Sequence, residues 1–311
     1  MVRLIADRAT VRVPATSGNV GPGFDAFGLA LGLHDVVEVR AVTGETSVEV
    51  EGEGAGEVPD GEEHLVVRAI RAGLEYVGAP QAGLALHCVN AIPHGRGLGS
   101  SAAAVVAGLV AVRALVSEPE ALEVESMLRL ATEFEGHPDN AAPALLGAAT
   151  IAWDSGAGPL AVRLDVLPEI VATVLVPQER LSTSTARKAL PATVPHRDAA
   201  ANSGRTGLLT LALTQRSDLL LPATEDRLHQ RYRAAAMPAS VDLVDRLRER
   251  GYAAVVSGAG PSVLVLHDGV TAVRDDLATV AGPGWRVLDL PIDTAGAQVL
   301  RPSAGSRGPV P

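Results

Sequence analysis

The chain is poor in several residue types, and each shortage removes an explanation. Cys88 is the single cysteine in 311 residues, so no internal disulfide can form. Its setting, Leu84-Ala85-Leu86-His87-Cys88-Val89, reads as a buried and unreactive strand position. Lysine is as scarce: Lys188 is the only one, in a polar segment far from any glycine-rich loop. A Walker A loop needs Gly-Lys-[Ser/Thr] and a protein-kinase site needs a strand lysine on the phosphates, so both are excluded. Arginine stands in for lysine almost everywhere, a bias we attribute to codon composition. Positive charge is in deficit, 26 Lys and Arg against 36 Asp and Glu, giving a net charge of −10 and a pI near 5.3. That balance argues against a nucleic-acid or anionic-membrane surface and for a small-molecule partner. No charged-then-apolar leader opens the chain, no uncharged apolar run reaches the ~18 residues of a membrane span, and no internal repeat occurs. The chain therefore reads as a cytoplasmic protein.

What is present is 47% apolar residues, enough for the cores of one large or two ordinary domains. The organising stretch is Pro93-His94-Gly95-Arg96-Gly97-Leu98-Gly99-Ser100-Ser101-Ala102-Ala103-Ala104. Glycines at alternate positions let the backbone bend tightly and approach a ligand without a Cβ in the way. Two serines then open an apolar, alanine-rich run that reads as a buried helix over Ala102–Val112, with a serine as its N-cap. The first amides of a helix have no internal partner and sit at the positive end of its dipole, so the junction suits a triphosphate. A glycine turn that merely joins strand Leu84–Val89 to the helix is the plain alternative. The dinucleotide fingerprint does not fit, because glycine should stand where Ser100 is.

Along the rest of the chain, Ala9–Pro14 reads as a strand, and Ala15–Asp25 as a polar, glycine-punctuated loop. Leu29–Arg40 reads as a strand pair, Glu45–Glu63 as a solvated acidic hairpin or loop without chemistry, and His64–Val77 as a packing helix. Glu118-Pro119 marks the start of another helix, with Leu122, Val124, Met127, Leu128, Ala131 and Phe134 toward the core. Gly136-His137-Pro138-Asp139-Asn140 is a poor core segment and fits an active-site loop. No second histidine stands at ligand spacing from His137, which disfavours a metal there. From about Ala161–Pro168 the pattern becomes that of a second unit, with strands at Val171–Pro177, Ala253–Val256 and Val263–Leu266 and a helix at Val241–Arg250.

Taken together, these stretches resemble the GHMP kinases (galactokinase, homoserine kinase, mevalonate kinase and phosphomevalonate kinase). The loop at 93–104 is similar to their ATP-binding motif, which wraps phosphates in backbone amides and needs no Walker lysine. Pro14-Ala15-Thr16-Ser17-Gly18-Asn19-Val20-Gly21-Pro22-Gly23-Phe24-Asp25 is similar to their first motif in the form the homoserine kinases carry. Ser257-Gly258-Ala259-Gly260-Pro261-Ser262 is similar to their third motif. His137-Pro138-Asp139-Asn140, Ser182-Thr183-Ser184-Thr185-Ala186-Arg187 and Asp293-Thr294-Ala295-Gly296-Ala297 also resemble the homoserine kinases. Gln230-Arg231-Tyr232-Arg233 departs from their Glu-Pro-Tyr-Arg in its first two positions.

The resemblance implies an α+β fold of two domains, the first like ribosomal protein S5 domain 2 with a left-handed crossover, the second ferredoxin-like. On it we expect an ATP-binding domain over 1–165, a second domain over 166–302 and a disordered tail over 303–311. It implies ATP and Mg²⁺ as cofactors and transfer of the γ-phosphoryl to the hydroxyl of homoserine, for threonine synthesis. Nucleotide contacts fall on Pro93, His94, Gly95, Arg96, Gly97, Leu98, Gly99, Ser100, Ser101, Ala102 and Ala103, and Mg²⁺ on Ser101 and Glu133, with Glu135 the alternative. Asn19, Asp25, His137, Asp139, Arg187 and Arg233 face the substrate, Asp25 its ammonium and the arginines its carboxylate. Asn140, Thr183 and Ser100 act on the transfer, which is direct and uses no carboxylate base, Asp139 being the alternative. Dimers are common in that family, so a homodimer is an open expectation. A kinase for another alcohol such as mevalonate would share the loop but has no amino group to justify Asp25. A non-catalytic ligand sensor on the same fold is the other alternative.

Overall fold

The computed structural model describes residues 2–269 and 273–300. Strand β1 (Arg8–Gly18) turns Ala9, Val11, Val13 and Ala15 into the core, the period-2 pattern of a half-buried strand. It pairs antiparallel with β2 (Phe27–Val42) from Arg8↔Arg40 to Gly18↔Gly28, with a register shift between Pro14 and Ala15. Proline has no N–H for the ladder, which accounts for an irregularity there. Two expectations are corrected: the strand runs on to Gly18, so the loop starts at Asn19, and Leu29–Arg40 lies within one long strand.

β3 (Ser47–Gly52), α1 (Leu65–Tyr76) and β4 (Gly83–Asn90) follow, with β3 and β4 parallel. The acidic 45–63 stretch thus supplies a strand, because Val48 and Val50 pack on the core between exposed glutamates. α2 (Ser100–Leu115) is buried on most of its surface, which suits its alanine and valine run. Its N-cap is Gly99 in the left-handed conformation, and Ser100 is already helical, which corrects the serine cap. α3 (Val124–Glu135) starts at Val124, because Pro119–Ala121 forms a separate 3-10 turn. α4 (Ala141–Leu146), β5 (Ala149–Asp154) and β6 (Pro159–Leu164) complete this part.

The chain then builds a second sheet. β7 (Val171–Pro177), α5 (Thr183–Lys188), α6 (His196–Thr214), α7 (Leu220–Ala223), α8 (Pro238–Glu249), β8 (Ala253–Val256), β9 (Val263–His267), α9 (Val273–Ala281) and β10 (Trp285–Leu290) follow in order. Its strands lie β10-β7-β9-β8 and are all antiparallel, the ferredoxin-like order. β11 (Gln298–Leu300) then leaves this sheet and pairs with β1, so the first sheet reads β11-β1-β2-β4-β3, with β5 and β6 attached through β2. The stretch 166–302 therefore returns a strand to the first sheet, and the tail at 303–311 lies outside the described residues. One core runs through α1, α2 and both sheets, and a smaller one lies under α8 and α9. Each fully buried Leu or Ile, such as Ile70 or Leu109, contributes about 1.5–3 kcal/mol. No helix among the described residues is long and apolar enough to cross a membrane.

Candidate active site

Three glycine loops meet where the two sheets adjoin, and hydrogen bonds lace them together. Thr16 N–H donates to Leu98 C=O (3.0 Å), Gly258 N–H to Gly18 C=O (3.1 Å) and Ser257 Oγ to Gly97 C=O (2.6 Å). Gly97 has φ +71°, and a Cβ there would stand 2.2 Å from Ser257 O and 2.8 Å from Gly260 O. Only glycine allows the 93–99 loop to lie this close to the 257–262 loop. The amides of Ser100, Ser101 and Ala102 open α2 ahead of its first internal bond, Ala103 N–H to Gly99 C=O (2.8 Å).

A cavity of about 140 Å³ opens on this junction, lined by Asn19, Asp25, Gly95, Gly97, Leu98, Gly99, Ser100, Ser101, Glu135, His137, Asp139, Asn140, Thr183, Arg187, Arg233 and Gly258. Residues scattered over more than 200 positions of sequence are thereby brought to one place.

The substrate-side loop is held in a strained shape. Asn19, Val20 and Asp25 have φ of +67°, +47° and +55°, values that non-glycine residues rarely adopt. Contacts from the second unit fix it: Asn202 Nδ2 and Thr206 Oγ1 donate to Pro22 C=O (2.7 and 3.0 Å). Asn19 Nδ2 donates to Gly258 C=O (2.8 Å), and Asn19 Oδ1 accepts from the Asp25 N–H (2.9 Å). Asn19 therefore holds Asp25 in place as well as lining the cavity. The Asp25 carboxylate takes two bonds from Arg187, Nη1 at 3.1 Å and Nη2 at 2.6 Å. Arg233 is 1% exposed and donates to His229 Nδ1 (2.9 Å), yet its Nε is buried without a partner and no carboxylate pairs with it among the described residues. Burial holds its pKa below the usual guanidinium value, and the nearby Arg187 adds to that. The guanidinium carbons of Arg187 and Arg233 lie 6.0 and 5.6 Å from the Phe24 ring centre.

Opposite these charges, α4 is preceded by a buried polar group. His137 Nδ1 lies 2.5 Å from Asp139 Oδ1, and Asn140 Nδ2 donates to the same oxygen (3.1 Å). Burial alone would lower the His137 pKa, but the Asp139 carboxylate outweighs it and holds it above the usual value. Thr16 Oγ1 donates to Asn140 Oδ1 (2.9 Å), which fixes the orientation of this amide. A Cβ at Gly18 would stand 2.3 Å from Asp139 Oδ2, so the bare backbone of β1 makes room for this side chain. Thr183 lies at the exposed start of α5, where Ser182 Oγ accepts from the Thr185 N–H (3.2 Å).

Three expectations change. Ser101 Oγ donates to the Glu135 carboxylate, whereas Glu133 is exposed and off the cavity: one helix residue separates 100°, so two residues put Glu133 on a different face of α3. The Arg96 guanidinium donates to the carbonyls of Pro177 (2.9 Å), Gln178 (2.9 Å) and His94 (3.2 Å), so it ties the loop to the end of β7 instead of facing the cavity. Pro93 lies beside it, and the side chains of Ala102 and Ala103 are wholly buried in the core.

A second cavity of about 370 Å³, largely apolar, lies on the other side of Ser100 and Ser101. Its walls include Val37, Val58, Pro59, His64, Leu65, Asn90 and His94. His64 is 6% exposed and its Nδ1 has no partner. Burial lowers the pKa of both His64 and His94. Apart from His94 and the two serines, sequence reasoning misses this wall, because its residues come from the stretch read as a solvated loop, from a packing helix and from strands that carry no binding signal. It also misses His229, Asn202 and Phe24. A larger cavity of about 610 Å³ lies along α7 and α8. Its arginines are already engaged: Arg231 holds Asp245, and Arg248 donates to Thr224 Oγ1 and the carbonyls of Leu221 and Ala254.

Comparison with known proteins agrees with this geometry. The family model for the GHMP kinases N terminal domain matches residues 64–148, and that for the GHMP kinases C terminal matches 202–279. A homoserine kinase of Streptomyces avermitilis is 52% identical over 291 residues, 93% of this chain and 95% of that one. The crystal structure of homoserine kinase from Cytophaga hutchinsonii superposes with a TM-score of 0.82 at 27% identity, covering 95% of this chain and 98% of that one. The L. major mevalonate kinase in complex with R-mevalonate shares the fold, with a TM-score of 0.68 at 14% identity, covering 94% and 99%.

Proposed function

Because the chain belongs to the GHMP kinases and, within them, to the homoserine kinases, we propose that it transfers the γ-phosphoryl of ATP to the side-chain hydroxyl of L-homoserine, giving O-phospho-L-homoserine for threonine synthesis. The observation that carries the substrate side is the pairing of opposite charges in one small cavity beside the glycine loop. Asp25 supplies an anion, Arg233 a buried cation without a counter-ion among the described residues, and Arg187 a cation that a zwitterion can draw from Asp25. Substrate binding exchanges one internal ion pair for two, ammonium on Asp25 and carboxylate on the two arginines.

On this reading the base occupies the apolar cavity beside His64 and His94, and the triphosphate lies over the 95–102 backbone, where amides and the helix dipole receive it. Mg²⁺ would be held by Ser101 Oγ and the Glu135 carboxylate, two hard oxygens already in contact, and would neutralise charge on the β- and γ-phosphates. Asn140, locked by Thr16 and Asp139, orients the reacting hydroxyl, and Thr183 and Ser100 flank the transferred group. Asp139 already accepts bonds from His137 and Asn140, which favours direct in-line transfer over general-base catalysis by this carboxylate. The small-molecule partner and the acidic surface accord with a cytoplasmic enzyme.

Phosphorus NMR of the protein with ATP and L-homoserine tests the proposal: a new phosphomonoester signal is expected, with none from mevalonate. Saturable homoserine binding without transfer would establish the sensor alternative. Arg187→Ala and Arg233→Ala are each expected to remove about 2–4 kcal/mol, seen in the homoserine KM and not in the ATP KM. Equal effects on both KM values would refute the carboxylate assignment.

A further inference from the structure

The side chain of Arg233 is long, and on an isolated turn it would sample many rotamers. It sits instead in a short 3-10 helix, Arg231–Ala236, and among the described residues the one side chain that bonds it is His229, buried to 0% exposure. A guanidinium can only donate, so His229 Nδ1 must accept (2.9 Å), which puts the ring proton on Nε2. Nε2 lies 2.8 Å from Gly21 C=O, a group that can only accept. One neutral tautomer satisfies both partners; the other sets two donors against each other at Nδ1, and imidazolium does the same. The charged groups around the ring are Arg233 on the 3-10 helix that follows it, Asp226 in the turn before it and Asp25 on the substrate loop. Asp226 stands 3.6 Å from Nε2, but its oxygens accept the backbone amides of Leu228, His229 and Gln230 and so cap the turn that carries His229. The imidazole also stacks on Phe24 with ring centres 5.2 Å apart.

We propose that His229 is a positioning residue, a buried neutral strut between Gly21 and Arg233 that fixes the anion-binding guanidinium relative to the loop bearing Asp25. This rests on the reading of Arg233 as a carboxylate partner. The spacing between the ammonium and carboxylate sites is then set by one rigid ring, whose two nitrogens span the two structural units. No motif of the chain singles out this histidine for the role.

Two substitutions separate the two nitrogens. H229Q can still donate to Gly21 from its outer amide but offers Arg233 no acceptor at the Nδ1 position; H229N can place its oxygen there and forfeits Gly21. Steady-state kinetics with L-homoserine, ATP and 3-aminopropan-1-ol, which lacks the carboxylate, provide the readout. H229Q is expected to raise the homoserine KM about tenfold with the ATP KM unchanged, and to shrink the preference for homoserine over 3-aminopropan-1-ol by the same factor, the loss of one charge-assisted bond. H229N, which keeps an acceptor for Arg233 but unties it from Gly21, should also raise the homoserine KM, by about three- to tenfold, a wild-type value in H229N overturning the strut, and H229Q should add nothing to R233A. An unchanged homoserine KM in H229Q, equal losses on both alcohols, or full additivity with R233A would overturn the proposal. If R233A itself leaves the homoserine KM unchanged, the assignment of Arg233 fails instead. Should H229Q not fold, H229F keeps the stacking, loses both polar contacts, and carries the same expected outcomes.

Discussion

Asp25→Asn isolates one charge in the cavity. Asparagine has nearly the same shape and tolerates the positive φ of +55° found here, so the loop should keep its course. What disappears is the anion that receives the substrate ammonium, a charge-assisted contact worth about 1.5–3 kcal/mol. A partial offset comes from the ligand-free protein, where the same carboxylate pairs with Arg187. Both side chains of that pair are 35% exposed, so it is worth no more than about 0.2–1 kcal/mol. Its loss leaves Arg187 free for the substrate carboxylate. The net penalty is about 1–2 kcal/mol, roughly a five- to thirtyfold fall in kcat/KM for homoserine. Initial rates followed by ADP release should show that fall for homoserine and none for 4-hydroxybutanoate, which has the carboxylate and hydroxyl but no amine. Equal losses on the two substrates would refute the assignment of Asp25 to the ammonium, since only homoserine carries that group.

Glu135→Gln should cut turnover about tenfold or more and raise the Mg²⁺ concentration needed for half-maximal rate, while Glu133→Gln should behave like the wild type; the reverse order in a Mg²⁺ titration would return the role to Glu133. Gly97→Ala places a Cβ 2.2 Å from Ser257 O, so the melting temperature should fall by several degrees and added ADP should no longer raise it; a wild-type melt with full ADP stabilisation would contradict the close approach. Burial raises the Asp35 carboxyl from 3.8 to about 6, against the opposing amides of Ile92 and Ala91. A raised acid pKa means the fold disfavours the ionised form, so the cost begins above 3.8 and is complete above about 6. Asp35→Asn keeps an acceptor for both amides and should raise the melting temperature at pH 8, by an amount corresponding to roughly 2–3 kcal/mol at most, but not at pH 4. A difference independent of pH would refute this.

Much of the site is legible in the chain because its chemistry is local in sequence. Alternating glycines before an alanine-rich helix, an Asn and an Asp in a glycine loop, and His-Pro-Asp-Asn are compact runs whose residue types have few uses elsewhere. The parts that escape are those created by distance. α6 carries Gly204 and Gly207 in a polar run in which no element is read from the sequence, yet its Asn202 and Thr206 hold the substrate loop at Pro22. His229 gains its meaning only from Gly21 and Arg233 folding around it. Helical phase decides between Glu133 and Glu135, and two candidate carboxylates so close in sequence cannot be ranked until the face of α3 toward Ser101 is known. In the same way, Arg96 sits inside the most diagnostic motif, but the nearest free carbonyls belong to the end of β7, and the guanidinium goes there.

β11 crosses back from the ferredoxin-like half to flank β1, and Leu31 forms an isolated bridge with Ile292 on the way. The two halves are thus interleaved in the covalent chain even though each has its own sheet. A cut between β6 and β7 would leave the amino-terminal fragment with an unprotected edge at β1, and the carboxy-terminal fragment with an orphan strand that belongs elsewhere. Neither piece is a self-sufficient module, and during synthesis the nucleotide-binding half cannot acquire its full sheet until the ribosome has passed the whole second sheet and made β11.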